Sequence, residues 1–206
     1  MLGFLLSNLQ EMTLLADFEI RDLARVHKMI EPFVDHVVKE EKGKKVLSYG
    51  LGSYGYDIRL DSKECFLFGG VQTGVCDPKA FDEGILKPLD LHEDEKGKFF
   101  ILPPYGYCLG VAKERLKLPR NVTVIAVGKS TYARSGIMVN ITPAEACWEG
   151  YLTLEISNCT GLFNRVYAEE GITQLLFMAG KPCSVSYQDR SGKYQSQPHQ
   201  VVFSKV

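Results

Sequence analysis

The densest group of polar side chains in the sequence is Gly128-Lys129-Ser130-Thr131-Tyr132-Ala133-Arg134. Hydroxyls, an amine and a guanidinium gathered on one turn, beside backbone N–H groups, suit phosphate oxygens. The Gly-Lys-Ser triplet is not a P-loop. That motif needs another glycine five positions before Gly128, where Thr123 stands, and a helix opening inside a βαβ unit. On local pattern alone the run is a polar surface turn after a strand. The second candidate is Glu155, within Tyr151-Leu152-Thr153-Leu154-Glu155-Ile156-Ser157-Asn158. Alternation puts Leu152, Leu154 and Ile156 on one face and Tyr151, Thr153, Glu155 and Ser157 on the other. On an open face Glu155 is simply solvated. If that face lines a cleft, desolvation raises its pKa toward the working range of a general base.

Other chemistries find little support. His27, His36, His92 and His199 stand apart from any plausible Ser or Cys partner, so a nucleophilic triad is not expected. Zinc deaminases carry H-x-E followed by P-C-x-x-C, and both His92-Glu93-Asp94 and Pro182-Cys183-Ser184-Val185 depart from that signature. No metal-ligand set is expected, and no zinc. The cysteines Cys65, Cys76, Cys108, Cys147, Cys159 and Cys183 form no C-x-x-C pair, and each is expected to be a buried, reduced thiol.

These side chains need a scaffold, and 206 residues with 45% apolar content suffice for one domain with its own core. With 24 basic and 25 acidic residues the net charge is -1, which lacks the basic excess of a nucleic-acid or membrane-surface binder. The opening Met1-Leu2-Gly3-Phe4-Leu5-Leu6 has no basic flank and is soon interrupted by Ser7, Asn8, Gln10 and Glu11. Leu2, Leu5, Leu6 and Leu9 suit one face of a short docked helix instead, and a cytoplasmic location is the default. A second short helix is expected at 18–29, with Pro32 stopping the pattern, and the charged run 39–45 reads as a solvated loop. Thereafter short β-type runs alternate with turns, at 56–60, 65–68, 99–102, 107–112, 122–127, 137–141, 151–158, 174–178 and 184–187. That spacing implies a mainly β fold, a barrel or jelly-roll with short N-terminal helices.

Taken together, several ordered motifs resemble the dCTP deaminase family, a branch of the trimeric dUTPase-like superfamily. They are Ser48-Tyr49-Gly50-Leu51, then Ser53-Tyr54-Gly55-Tyr56-Asp57-Ile58-Arg59, the 128–134 run, and Thr142-Pro143 leading to Trp148-Glu149-Gly150. Thr153-Leu154-Glu155-Ile156-Ser157-Asn158, Gly171-Ile172-Thr173-Gln174 and Gly192-Lys193-Tyr194-Gln195 follow. The resemblance implies a distorted dUTPase-like β-barrel spanning 1–206 as one domain, with 1–17 an N-terminal extension and 188–206 a tail closing over the site. It implies hydrolytic, zinc-independent deamination of dCTP to dUTP and ammonia, in a homotrimer with sites between subunits. Mg²⁺ is implied as a companion of the triphosphate, and dTTP as a feedback inhibitor.

Residue by residue, Glu155 matches the catalytic glutamate, and Ser130 and Arg134 match the hydroxyl and guanidinium around the reacting water and base. Lys129, Ser130, Thr131, Tyr132, Ala133 and Arg134 match the triphosphate turn. Thr153, Leu154 and Glu155 match the strand beside the pyrimidine, and Gln174, Tyr187, Lys193 and Gln197 match further nucleotide contacts. Without zinc, one carboxylate can take the proton of the attacking water and return it to the departing amino group, the shuttle expected of Glu155. Arg134 is expected to hold that carboxylate ionised, and Ser130 with backbone carbonyls near Ile141 to aim the water. The sequence departs from the family pattern at Ala144, Ala146 and Cys147, and at Pro198-His199 where Gln-Gly is expected. Two rivals stand beside this reading. One adds dUTP diphosphatase activity through Glu145, ten residues before Glu155; the other is a non-catalytic nucleotide-binding regulator on the same scaffold.

Overall fold

The computed structural model describes residues 12–69, 74–140 and 142–206. The expected helix at 2–9 lies outside them. In chain order the elements are β1 (Thr13–Leu14), α1 (Asp17–His27), β2 (Ile30–Glu31), β3 (Val37–Glu41), β4 (Lys44–Gly52), β5 (Gly55–Phe68), β6 (Leu86–Pro88) and β7 (His92–Asp94). They continue through β8 (Gly97–Leu102), β9 (Tyr107–Lys117), β10 (Val122–Gly128), α2 (Ser130–Arg134), β11 (Ile137–Val139) and β12 (Pro143–Ala144). The last are β13 (Glu149–Asn158), β14 (Asn164–Tyr167) and β15 (Gly171–Ala179). The mainly β expectation is met.

One continuous sheet runs β11-β13-β9-β5-β15-β10-β12, with β14-β8-β7 as a small second sheet. The long strand β5 makes it curl. Its first part pairs with β4 and β15, and its second part with β9 and β6. Between these halves Leu60 opposes Ala112 while Cys65 opposes Gly110, so residues 61–64 bulge out against Val111 alone. A bulge bends and twists its strand, which turns the sheet around a core of Tyr56, Ile58, Leu60, Leu116, Ile156 and Phe177, each fully buried.

Several local expectations change. Helix α1 ends at Lys28, in the left-handed region at φ 54°, four residues ahead of Pro32. The run 39–45 is a β3–β4 hairpin, not a loop; Lys42 and Gly43, at φ 50° and 77°, supply the left-handed pair that a two-residue turn needs. The strand expected at 184–187 is absent. There the Ser186 N–H bonds to Asp189 Oδ2 and the Asp189 N–H to Ser186 Oγ, and these reciprocal bonds close a turn instead. Of the cysteines only Cys65 and Cys108 are buried. Cys76 and Cys159 are exposed because they sit on loops beyond the sheet, and Cys147 and Cys183 are half-buried.

Candidate active site

Glu155 stands on β13 opposite Leu109 of β9, and Tyr107 stands opposite Ser157, so Tyr107, Leu109, Thr153 and Glu155 share one face. That face is not open to solvent. It floors a cavity of about 430 Å³, walled by Phe68 and Phe81, by Asn140 and the 142–145 stretch, and by Tyr187, Tyr194, Gln197, Val202 and Ser204 of the tail. The cleft is therefore present, and Glu155 is half-buried on its floor. Burial pushes its carboxyl above the usual glutamate range, opposed by its own backbone N–H. Its backbone carbonyl accepts the Asn140 N–H at 2.7 Å, which ties β13 to the chain leaving β11.

The tail reaches this cavity because the strand edge lets it come close. Gly150, at φ 140°, would place a Cβ 2.6 Å from Gln197 N, so only a glycine permits the contact. The Tyr151 N–H then bonds to Gln197 O at 3.2 Å and the Ser196 N–H to Glu149 O at 2.8 Å. Trp148 Nε1 donates to Tyr194 O at 2.8 Å, and Gln195 Nε2 to Cys147 O at 3.0 Å. These bonds span the positions where Ala146 and Cys147 depart from the family pattern, since the Tyr187 N–H also bonds to Ala146 O at 3.1 Å.

Of the residues singled out from sequence, the cavity brings together Glu155, Thr153, Tyr187 and Gln197. The Thr153 hydroxyl is already engaged, accepting from Val202 N at 3.0 Å and donating to Val202 O at 3.4 Å. Leu154 points into the core, 3% exposed, because it is the inward residue of the alternation, and it does not line the cavity. Leu152 does not simply join Leu154 and Ile156. The β13 register slips between Tyr151 and Thr153, and Leu152 both packs on the core and lines the cavity.

None of Lys129, Ser130, Thr131, Tyr132, Ala133 and Arg134 lines that cavity. Helix α2 carries Ser130, Thr131, Ala133 and Arg134 exposed on the surface. Tyr132 is buried, and its hydroxyl accepts the Tyr167 N–H at 2.8 Å. Lys129 pairs with Asp57 at 2.5 Å, beside Gln174, whose register partners are Val127 and Asp57. Lys193 is exposed, its Nζ 5.5 Å above the Tyr194 ring centroid. Among the described residues the cavity lining holds no cation, and its second carboxylate, Glu145, is bonded by Arg190. Among the described residues no three His, Cys, Asp or Glu side chains gather as a metal would require.

Sequence reasoning missed Tyr107, Leu109, Phe68, Phe81 and Tyr194. A signal existed for the first two: the 107–112 run is apolar at both odd and even positions, which marks a strand covered on both faces.

The dCTP deaminase-like family profile matches residues 14–180. The chain is 47% identical to the dCTP deaminase of Azotobacter vinelandii over 187 residues, covering 90% of this chain and 96% of that one. It is 48% identical to that of Burkholderia mallei over 188 residues, with the same coverage. In fold it is similar to the crystal structure of 2′-deoxycytidine 5′-triphosphate deaminase from Agrobacterium tumefaciens, with a TM-score of 0.60 at 22% identity. That match covers 82% of this chain but 48% of the Agrobacterium chain, so this chain spans about half of that length. With a matching profile over most of its length and relatives near half identity, the chain belongs to the dCTP deaminase-like family.

Proposed function

We propose that the protein deaminates dCTP hydrolytically to dUTP and ammonia without zinc, with Glu155 as the proton shuttle. The observation that carries this is the carboxyl of Glu155, withdrawn from water on the floor of a cavity sized for a nucleoside and closed by the tail. In its ionised form Glu155 takes a proton from a water attacking C4 of the cytosine. A tetrahedral centre forms, the same carboxyl delivers that proton to the exocyclic amino group, and ammonia leaves as the C4 carbonyl closes and the hydroxyl's remaining proton passes to N3. Tyr107 and Leu109, beside Glu155 on the same face, keep bulk water from the shuttle.

Triphosphate recognition falls to the segment from Lys129 to Arg134. A cavity whose lining, among the described residues, holds carboxylates and no cation cannot by itself neutralise a triphosphate, while Arg134 stands exposed outside it. This division supports a homotrimer in which the α2 turn of one subunit completes the cavity of the next, bringing Ser130 and Arg134 to Glu155. Mg²⁺ would arrive with the triphosphate. The residues fit that role, since Glu145 is committed to Arg190 and among the described residues no three acidic or other metal-ligating side chains gather. In such a site dTTP competes for the same triphosphate contacts. A cytoplasmic location goes with a free nucleotide substrate; among the described residues no helix is long and apolar enough to cross a membrane.

Incubation with dCTP and Mg²⁺, followed by chromatography of nucleotides and an ammonia assay, tests the proposal. Accumulating dUTP with matching ammonia supports it. Appearance of dUMP would assign the second hydrolysis to Glu145 or a neighbour, and bound but unchanged dCTP would favour a regulator.

A further inference from the structure

The β5 bulge does more than bend the sheet. Three of the residues it throws out, Asp61, Lys63 and Glu64, each take hold of the C-terminal tail. Asp61 Oδ2 lies 3.0 Å from His199 Nε2, Lys63 Nζ donates to His199 O at 2.7 Å, and the Val201 N–H donates to the Glu64 carboxylate. The bulge is itself held rigid, with the Lys63 N–H on Asp61 Oδ1 at 2.7 Å and the Ser62 N–H on Glu169 Oε1 at 3.0 Å. On the other side the His199 ring stacks on Tyr151, 4.2 Å between centroids at 16°. The contact of Nε2 with Asp61 is close but is not an aligned hydrogen bond.

Beyond His199, Val201 is 4% exposed and Val202 doubly bonds the Thr153 hydroxyl. Two residues before it, Gln197 lines the cavity with its side-chain oxygen buried and, among the described residues, without a protein partner. A buried acceptor left open costs stability unless a ligand supplies the donor.

We propose that His199, seated between Asp61 and Tyr151, is a positioning residue: it latches the tail to the β5 bulge and so sets Gln197 over the bound nucleotide. Its test rests on the dCTP reading only in the kinetic arm. The latch adds side-chain contacts to the backbone bonds that already hold the tail at Gly150. Thr153, in consequence, is a docking point for the tail, with only one lone pair left for a nucleotide.

Hydrogen exchange of the peptide containing Val201 and Val202 is compared between wild type and His199→Ala, alongside KM and kcat for dCTP. The variant is expected to lose protection at both amides and to raise KM about tenfold, from the joint loss of the Asp61 contact and a ring stack, with kcat within about twofold. Asp61→Asn, which keeps the stack, is expected to raise KM about threefold. In the His199→Ala background it should add nothing, because the two residues act through one contact. Unchanged amide protection in His199→Ala overturns the latch. So does lost protection with KM unchanged, and so does a loss confined to kcat. If the wild-type protein releases no ammonia from dCTP, the deaminase reading fails; the dissociation constant for dCTP then replaces KM and decides the latch by the same criteria.

Discussion

Lys129 Nζ lies 2.5 Å from Asp57 Oδ2 and 3.2 Å from Ser48 Oγ, with both charged side chains largely withdrawn from solvent. Burial pushes the Asp57 carboxyl up, while the Lys129 ammonium pulls it down. The cation proposed for the triphosphate is therefore also an internal counter-ion, and in that proposal phosphate shares it with Asp57.

Breaking that pair from one side leaves a carboxylate in a place it was not built to occupy alone. Lys129→Met should cost about 3 kcal/mol in urea unfolding. Adding Asp57→Asn should restore part of the loss, since no unpaired charge then remains. A Lys129→Met protein as stable as wild type would show that the pair contributes nothing to the fold.

Replacing Glu155 by glutamine keeps the shape and removes the proton acceptor. Ammonia release from dCTP should fall by about 10²–10⁴ in kcat, while the unfolding midpoint holds or rises because a buried charge has been removed. Near-normal turnover in a folded Glu155→Gln protein would end the shuttle assignment.

The raised pKa of Glu155 has two readouts. As a base it must be ionised, so the acid limb of kcat/KM should lie above the range of an ordinary glutamate. For stability the sign is opposite to that of a salt-bridged carboxylate. The contribution is fully present below the unfolded pKa and is lost as pH rises through the higher folded value. Urea midpoints across that window should slope downward in wild type and flatten in Glu155→Gln; parallel slopes would mean the carboxyl is not buried in solution.

Trp148, the sole tryptophan, donates its indole N–H to Tyr194 O at 2.8 Å and is 4% exposed. Deleting 188–206 should shift its emission to longer wavelength and lower kcat/KM by about tenfold or more, as expected of a closing segment. An unshifted spectrum would mean the tail does not cover Trp148 in solution.

Thiol labelling should discriminate the cysteines by burial. Cys76 and Cys159 should react in the native protein, and Cys65 and Cys108 only on unfolding, since the Cys65 neighbour and burial hold the Cys108 thiol well above its usual range. Peptide mapping after timed modification reads this directly; early labelling of Cys108 would reveal local opening of β5 from β9.

The sequence by itself determined the β texture and the alternation that commits Leu154 and Ile156 to the core, because these depend on local period; the deamination reading came from the resemblance of its ordered motifs to the dCTP deaminase family. It missed the β3–β4 hairpin because a charged run looks the same whether solvated as loop or as strand, and only the left-handed Lys42-Gly43 pair distinguishes them. It read 184–187 as a strand because its alternation ignores the Ser186–Asp189 bonds that close a turn. Only the tertiary structure decided that the polar face of β13 is a cavity floor. That depends on β9 from far upstream, on a bulge in β5, and on a tail returning some forty residues after Glu155. It also separated the cavity from the Lys129–Arg134 turn. Which surface a charged side chain reaches is set by strand register and by ion pairs such as Lys129–Asp57, and neither is written in the spacing of one segment.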